Sequence, residues 1–145
     1  MRVFAQQSHS DAFDVPVVQN APSLFYYEVG STLYVAATHA DGTLVGDPAL
    51  TNGTTKASPG ETVALYVNGV APSPSGVIIT KPIPYSGTVS ITIGSDAATP
   101  LFTGLVEAGV FQINTTVPVI PAGNYPITVT VEGYSGPQIS DQAIS

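Results

Sequence analysis

The chain has 145 residues, of which 43% are apolar and only 9% are charged, and its formal net charge is −7. Arg2, Lys56 and Lys81 are its only fixed cations, and three scattered cations cannot displace enough counterions to bind nucleic acid or an anionic membrane surface. Cysteine is absent, which excludes disulfides, thiolate metal ligands and thiol nucleophiles. No apolar run reaches the roughly 20 residues of a membrane-spanning helix. We therefore expect no nucleic-acid partner and no membrane insertion.

Residues 1–19 are predicted to form a hairpin. RVFAQQ and AFDVPVVQ would be its two strands, and the polar SHSD between them would be its turn. We interpret residues 1–19 as the closing hairpin of a preceding Ig-like half, or as leading strands, and residues 20–145 as one Ig-like domain. The opening residues lack the apolar core of a signal peptide, so we expect any export signal to lie upstream.

Beyond residue 20, short alternating segments are separated by turn formers at a spacing of roughly 8–12 residues, which is typical of a sandwich or barrel. Asp41-Gly42 is a strong tight-turn dipeptide, and we predict loops over residues 46–60, 71–76 and 81–87. The predicted strands are SLFYYE, TLYVAATHADGTLV with its Asp-Gly turn, TVALYVNG, VSITIG, VFQINTTV and YPITVTVEG. This pattern predicts an all-β fold, an Ig-like antiparallel β-sandwich.

The alternation also predicts which side chains enter the core, because successive residues of a strand point to opposite faces. In VFQINTTV the inward residues are Phe111, Ile113, Thr115 and Val117, and the outward residues are Gln112, Asn114 and Thr116. The other strands are predicted to send Val63, Leu65, Val67, Val89, Ile91, Ile93, Tyr125, Ile127, Val129 and Val131 inward. Packing and turn formation account for every position of VFQINTTV and the following turn except the two amides.

Those amides belong to a candidate ligand face. Tyr26 and Tyr66 lie opposite to apolar neighbours in their strands, so either ring could be exposed, and exposed aromatic rings stack on sugars. Tyr26, Tyr66, Gln112 and Asn114 are therefore candidate ligand-binding residues, and the ligand class that they suggest is a glycan. The competing interpretation places most of the aromatic residues in the core, as is common in sandwiches.

Catalytic and metal-binding patterns are weak. His9 stands in QSHSD beside two serines and an aspartate, but neighbours on one turn are not a triad, which the fold must assemble. Two histidines do not make a zinc site without further convergent ligands. Calcium needs several oxygens in a compact arrangement, and Asp14, Asp41 and Asp47 are the carboxylates that loops at one end of a sandwich could bring together. We expect no enzyme and no cofactor.

Several motifs follow one another in an order that resembles a known family. They are NAPSLF, AATHADGTLV, SPGETVALYVNGV, GTVSITIGSDAATPLFTGLVEAGVFQINTTVP and PAGNYPITVTVEG. Together they resemble the C-terminal Ig-like domain of large exported proteins abundant in acidobacteria, a Solibacter-type C-terminal domain family. The resemblance extends from about Asn20 to the end of the chain. It implies an Ig-like fold and an exported bacterial protein, and it brings no activity with it.

These observations favour a non-catalytic structural or adhesion module of an exported or cell-surface bacterial protein. Its expected partners are neighbouring domains of the same polypeptide. The alternative is a carbohydrate- or cell-envelope-binding module that uses exposed tyrosines. Three or more coplanar exposed tyrosines would favour that alternative.

Overall fold

The computed structural model describes residues 4–5, 8–9, 11–70, 73–136 and 141–144, and every regular element within these ranges is a β-strand. The strands are β1 (Phe4–Ala5), β2 (Ser8–His9), β3 (Ser23–Leu24), β4 (Tyr26–Val29), β5 (Thr32–Val35), β6 (Ala37–Thr38), β7 (Leu44–Val45), β8 (Thr54–Thr55), β9 (Thr62–Asn68), β10 (Ile83–Pro84), β11 (Val89–Ile93), β12 (Asp96–Ala98), β13 (Pro100–Glu107), β14 (Val110–Thr116), β15 (Gly123–Val131), β16 (Tyr134–Ser135) and β17 (Asp141–Ile144). No helix in the described ranges is long and apolar enough to cross a membrane.

β1 and β2 pair only with each other, and the remaining described strands form two larger sheets that pack face to face. The first, which we call the β9 sheet, has the order β10-β13-β14-β9-β6-β7-β8, with β3 also paired to β9. The second, the β15 sheet, has the order β12-β11-β15-β17-β5-β4, with β16 also paired to β15. Most neighbours are antiparallel, and the described exceptions are β17 with β5 and β7 with β8. The prediction of an all-β antiparallel sandwich is confirmed.

The core lies between the sheets and is built by alternate residues of their central strands. Leu65, Ile93, Ile113 and Ile127 are completely buried, and Phe111 is 1% exposed. Of the side chains predicted to point inward from these strands, all but two are buried. The two others, Val89 and Tyr125, are partly buried and pack against the core. Burial of apolar surface at about 25 cal/mol per Å² is the main force that holds the sheets together.

One hairpin belongs to both sheets. Its arms pair with each other as β4 and β5 in the β15 sheet, and then separate so that β3 and β6 both pair with the same edge of β9. At the point of separation the Phe25 amide donates to the Tyr66 carbonyl, and the Phe25 carbonyl accepts from the Ala36 amide. Strands that change sheet in this way form the corners of a sandwich.

One strand prediction is wrong, and one strand was not predicted. AFDVPVVQ contains no strand, and residues 11–19 are exposed. β1 pairs instead with β2, whose Ser8 and His9 were predicted to lie in the turn, so that Phe4 lies opposite His9. Pro16 has no amide hydrogen to donate to a neighbouring strand, which weakens any pairing there. In the other case, β13 was not predicted at all. Its register with β14 shifts twice, between Pro100 and Phe102 and between Leu105 and Glu107, and such bulges break the two-residue period.

The loop predictions agree more closely with the structure than these strand predictions do. The predicted loop 46–60 consists of turns and irregular residues, apart from a single-residue bridge at Ala57 and β8, which pairs in parallel with β7. The predicted loop 81–87 contains only the two-residue β10, which pairs with β13 at the edge of the β9 sheet. In the predicted loop 71–76, residues 71 and 72 lie outside the described ranges, and the described remainder contains no strand.

Candidate functional site

A groove of about 360 Å³ lies on the solvent face of the β9 sheet. We call it the β9 groove; its floor is Ala64, and its walls include Thr38, Tyr66, Gln112 and Asn114, with His39 at one end. Ala64 lies opposite Thr38 on one side and opposite Asn114 on the other. The smallest side chain of this row is thus in the middle, between two longer polar ones on neighbouring strands. The sequence VALYV therefore creates the groove, because one small residue separates Thr62 from Tyr66 on the outer face.

The two amides of the groove are bonded to each other. Gln112 Nε2 donates to Asn114 Oδ1 at 2.7 Å, along one strand and two residues apart. Gln112 Oε1 and the two Asn114 Nδ2 hydrogens have no hydrogen-bond partner in the described part of the chain. The oxygen is therefore available as an acceptor, and the two hydrogens are available as donors. The sequence predicted that these side chains would face outward, and they do.

Tyr66 forms another wall of the groove. It lies directly opposite Gln112 in the pairing of β9 with β14. Its hydroxyl is 3.1 Å from Thr38 Oγ1 on the other side of β9, so its ring leans from β9 toward β6. The groove thus has an amide pair on one side and a tyrosine tied to a threonine on the other.

The structure brings together three of the four candidate ligand residues. Tyr66, Gln112 and Asn114 line one groove, whereas Tyr26 lies on β4 in the other sheet, where it is 52% exposed. Its neighbour Tyr27 stacks on Tyr34 with ring centroids 5.7 Å apart. Tyr27 also donates from its hydroxyl to the Val45 carbonyl at 3.0 Å. Tyr27 thus connects β4 of the β15 sheet to β7 of the β9 sheet, whereas Tyr26 remains exposed.

His39 closes one end of the groove and is held on both ring nitrogens. Nδ1 lies 2.5 Å from Glu61 Oε1, and Nε2 lies 3.1 Å from the Thr55 carbonyl and 2.9 Å from Thr55 Oγ1. Glu61 in turn accepts at Oε2 from the Ser58 amide at 2.9 Å. The cluster therefore links the β6–β7 turn, β8 and the turn before β9.

The environment of this pair shifts both titrations toward the charged forms. Burial of the imidazole lowers the pKa of His39, but the hydrogen bonds to Glu61 and Thr55 and the nearby carboxylates outweigh it and raise that pKa overall. Burial raises the pKa of Glu61, but the His39 and Ser58 hydrogen bonds and the His39 charge lower it overall. An imidazolium paired with a carboxylate is the state that these contacts favour.

The three candidate calcium carboxylates are not gathered into one site. Asp41 Oδ1 accepts from the Thr43 amide and hydroxyl at 2.9 and 2.7 Å, and these bonds lower the pKa of Asp41. Asp47 Oδ1 accepts from the Ala49 amide at 2.9 Å, and Asp14 lies in the exposed segment 11–19. Among the described residues, no group of three or more His, Cys, Asp or Glu side chains is placed to hold a metal ion. Asp41 and Asp47 bond within their own turns, as aspartates often do.

The sequence did not point to Glu61, Thr38 or Ala64 as part of this region. Glu61 is 22 residues from His39, and only the pairing of β6 with β9 brings the two together. Alternation in TVALYV did carry a signal, since it places Thr62, Ala64 and Tyr66 on one face. What alternation could not show is which neighbouring strands supply the walls. His9 belongs to β2, and only its backbone pairing with Phe4 is described.

Comparisons with protein families, with curated proteins and with solved structures find no match for this chain.

Proposed function

We propose that the chain is a non-catalytic Ig-like module with a structural or adhesive role in an exported or cell-surface bacterial protein. One observation carries this proposal: five titratable side chains of the kind that chemistry would need bond to turns of the sandwich or to the residue before a strand. His39 and Glu61 join two turns, Asp41 and Asp47 each close their own, and Glu132 accepts from the Thr88 amide. Side chains committed to turn geometry support a scaffold role.

Two further features support the Ig-like and exported parts of the proposal. Two antiparallel sheets enclose a core made of alternate residues, as in Ig sandwiches, and a bacterial Ig-like family is what the sequence resembles. The surface depends on Thr, Ser, Gly and Asn for its polarity, and only 9% of the residues are charged, against about 25% in an average soluble domain.

The proposed partners are neighbouring domains of the same polypeptide. The segment before β3 exposes four apolar side chains, with Phe13 at 49%, Val15 at 46%, Val17 at 93% and Val18 at 52%. Clustered exposed apolar side chains are typical of contact surfaces. This segment is therefore where we propose that a neighbouring domain packs.

Labelling of cells that produce the whole protein tests the proposed location. An antibody raised against residues 11–136 should label intact cells as strongly as lysed cells. Labelling that requires lysis would overturn the proposed exported or surface location. A cytoplasmic protein of the same cells, probed in parallel, shows that the intact cells are sealed.

A carbohydrate- or cell-envelope-binding module is the second candidate, and the β9 groove is the observation that favours it. Tyr66, Gln112 and Asn114 converge there from two strands. Ligand sites commonly combine a concave surface of roughly 300–1,000 Å³ with a few well-placed polar groups. A non-catalytic adhesion module would have use for such a site.

A further inference from the structure

We propose that the β9 groove binds a neutral oligosaccharide, with one sugar ring over Ala64 and its hydroxyls on the Gln112–Asn114 amide pair. This inference rests on the second candidate function and specifies the residues and the ligand class. It concerns binding alone and does not depend on where the protein is located in the cell.

The shape of the groove follows from the register of three strands. Thr38, Ala64 and Asn114 form one row across β6, β9 and β14. Neighbouring strands are about 4.8 Å apart, so the outer two members of this row are separated by roughly 9–10 Å. Alanine in the middle leaves a shallow bed between them, in which one sugar ring can lie.

The hydrogen-bonding groups of the amide pair match a diol. Because Gln112 Nε2 donates to Asn114 Oδ1, the pair is oriented before a ligand arrives, and it presents an acceptor (Gln112 Oε1) beside donors (the Asn114 Nδ2 hydrogens). A sugar hydroxyl both donates and accepts, so adjacent hydroxyls can satisfy both groups at once. A pre-oriented pair also loses less conformational entropy on binding.

Tyr66 adds an aromatic wall held in place. Its hydroxyl contacts Thr38 Oγ1 at 3.1 Å, which ties the ring to the sheet beside the bed. The amphipathic tyrosine ring offers apolar surface for the C–H face of a sugar and a polar end for its hydroxyls. A site with an aromatic wall and an amide pair differs from a charged site in the ligand that it selects.

Charge decides that the oligosaccharide is neutral. The charged groups at the end of the groove are His39 and Glu61, which are paired with each other, and the neighbouring carboxylate of Asp41, whose charge acts on both. The chain as a whole has a formal net charge of −7, so an acidic glycan would be repelled and would find no unpaired cation in the groove. A neutral ligand avoids both costs.

Isothermal titration of the full chain with single oligosaccharides tests the proposal. The neutral probes are gluco-, xylo-, manno- and galacto-oligosaccharides of six units, and the acidic probe is oligogalacturonate of the same length. We expect at least one neutral probe to bind at millimolar concentration or below and the acidic probe to bind more weakly. Binding of none of the neutral probes, or stronger binding of the acidic one, would overturn the proposal.

Variants locate the site. Asn114→Asp keeps the shape and the acceptor for Gln112 but has no amide hydrogens, so we expect it to weaken the neutral probe at least about tenfold. Gln112→Ala should weaken it similarly. Ser90→Ala is the matched control, because Ser90 is exposed on β11 of the other sheet. Circular dichroism confirms that each variant is folded.

The proposal fails if Asn114→Asp and Gln112→Ala both bind like the unaltered chain, since the ligand would then be held elsewhere. Light scattering across a concentration series adds a separate check. A dimer that Asn114→Asp dissolves would show that a second copy occupies the groove, which also overturns the proposal. Neither result bears on the surface labelling, so failure of this inference and failure of the proposed location are distinguishable.

Discussion

His39 and Glu61 connect two turns that the sequence places 22 residues apart, with Nδ1 of the histidine 2.5 Å from Oε1 of the glutamate. Both side chains are partly buried, at 10% and 28% exposure, so water screens their attraction less than it screens a surface pair. The opposite ring nitrogen of His39 reaches Thr55 in β8. His39, Glu61 and Thr55 together hold the β6–β7 turn against the turn before β9. We call these three residues the clasp.

The clasp should contribute measurably to stability. We expect His39→Ala to lower the free energy of unfolding by about 1–3 kcal/mol, because it removes a charge-assisted hydrogen bond and leaves Glu61 partly buried without its cation. Urea titration measures the change. Glu61→Gln is the companion variant, and the double variant should lose less than the two single losses added together. Additive losses would show that the two residues act independently.

The same clasp predicts a stability maximum in mild acid. The pKa of His39 is raised above its ordinary 6.5, so its contribution is complete below that value and is lost as the pH rises through the raised pKa. The pKa of Glu61 is lowered below its ordinary 4.5, so its contribution is present above that value and is lost as the pH falls through the lowered pKa. The pair should therefore stabilise most between these two ordinary values.

The clasp should lose less stability as the pH rises through the pKa of His39 than as the pH falls through the pKa of Glu61. The neutral imidazole can still donate from Nδ1 to Glu61 and accept at Nε2 from the Thr55 hydroxyl. Urea titrations at pH about 3.5, 5.5 and 8.5, on the unaltered chain and on the His39→Gln, Glu61→Gln double variant, measure this dependence. A stability difference between the two proteins that is the same at all three pH values would contradict the prediction.

Gly69 should resist substitution more than a glycine of similar backbone conformation elsewhere. Its φ is +70°, and a Cβ atom there would lie 2.1 Å from the Ala21 carbonyl oxygen. That distance is a steric clash, so the backbone would have to move. Gly76 has a φ of +71° but open space around it. We expect Gly76→Ala to cost about 1–2 kcal/mol through its left-handed backbone alone, and Gly69→Ala to cost clearly more. Thermal unfolding of the two variants compares them, and equal losses would show that Ala21 moves aside freely.

Alternation made much of this fold predictable. In β9, β11, β14 and β15 the inward residues follow a strict two-residue period, and the structure buries them or packs them against the core. The Asp41-Gly42 turn was predictable for a similar local reason, since Gly42 takes a φ of +85° that few other residues adopt. Local patterns report local geometry well.

What the sequence could not show is set by tertiary pairing. The eight-residue strand β13 could not be predicted from alternation, because each of its two bulges moves the apolar positions to the other face. Gly104, which has no side chain, weakens the pattern further. The β9 groove exists only because β6 and β14 lie on either side of Ala64. Nothing in the spacing of Thr38, Ala64 and Asn114 reveals that they share a row. The outward orientation of the amides could therefore be predicted, but the residues that lie beside them could not.

Neighbouring residues of β14 should show opposite consequences when they are shortened. Ile113 is completely buried in the core, so Ile113→Ala should lower the free energy of unfolding by about 2–5 kcal/mol through lost burial and the cavity that remains. Asn114 faces the groove, and its described side-chain bond is the one from Gln112. We expect Asn114→Ala to cost less than about 1 kcal/mol. Urea unfolding of both variants measures the contrast, with Ser90→Ala as the surface reference. A loss at Asn114 as large as that at Ile113 would mean that the amide pair supports the sheet instead of remaining available to a ligand.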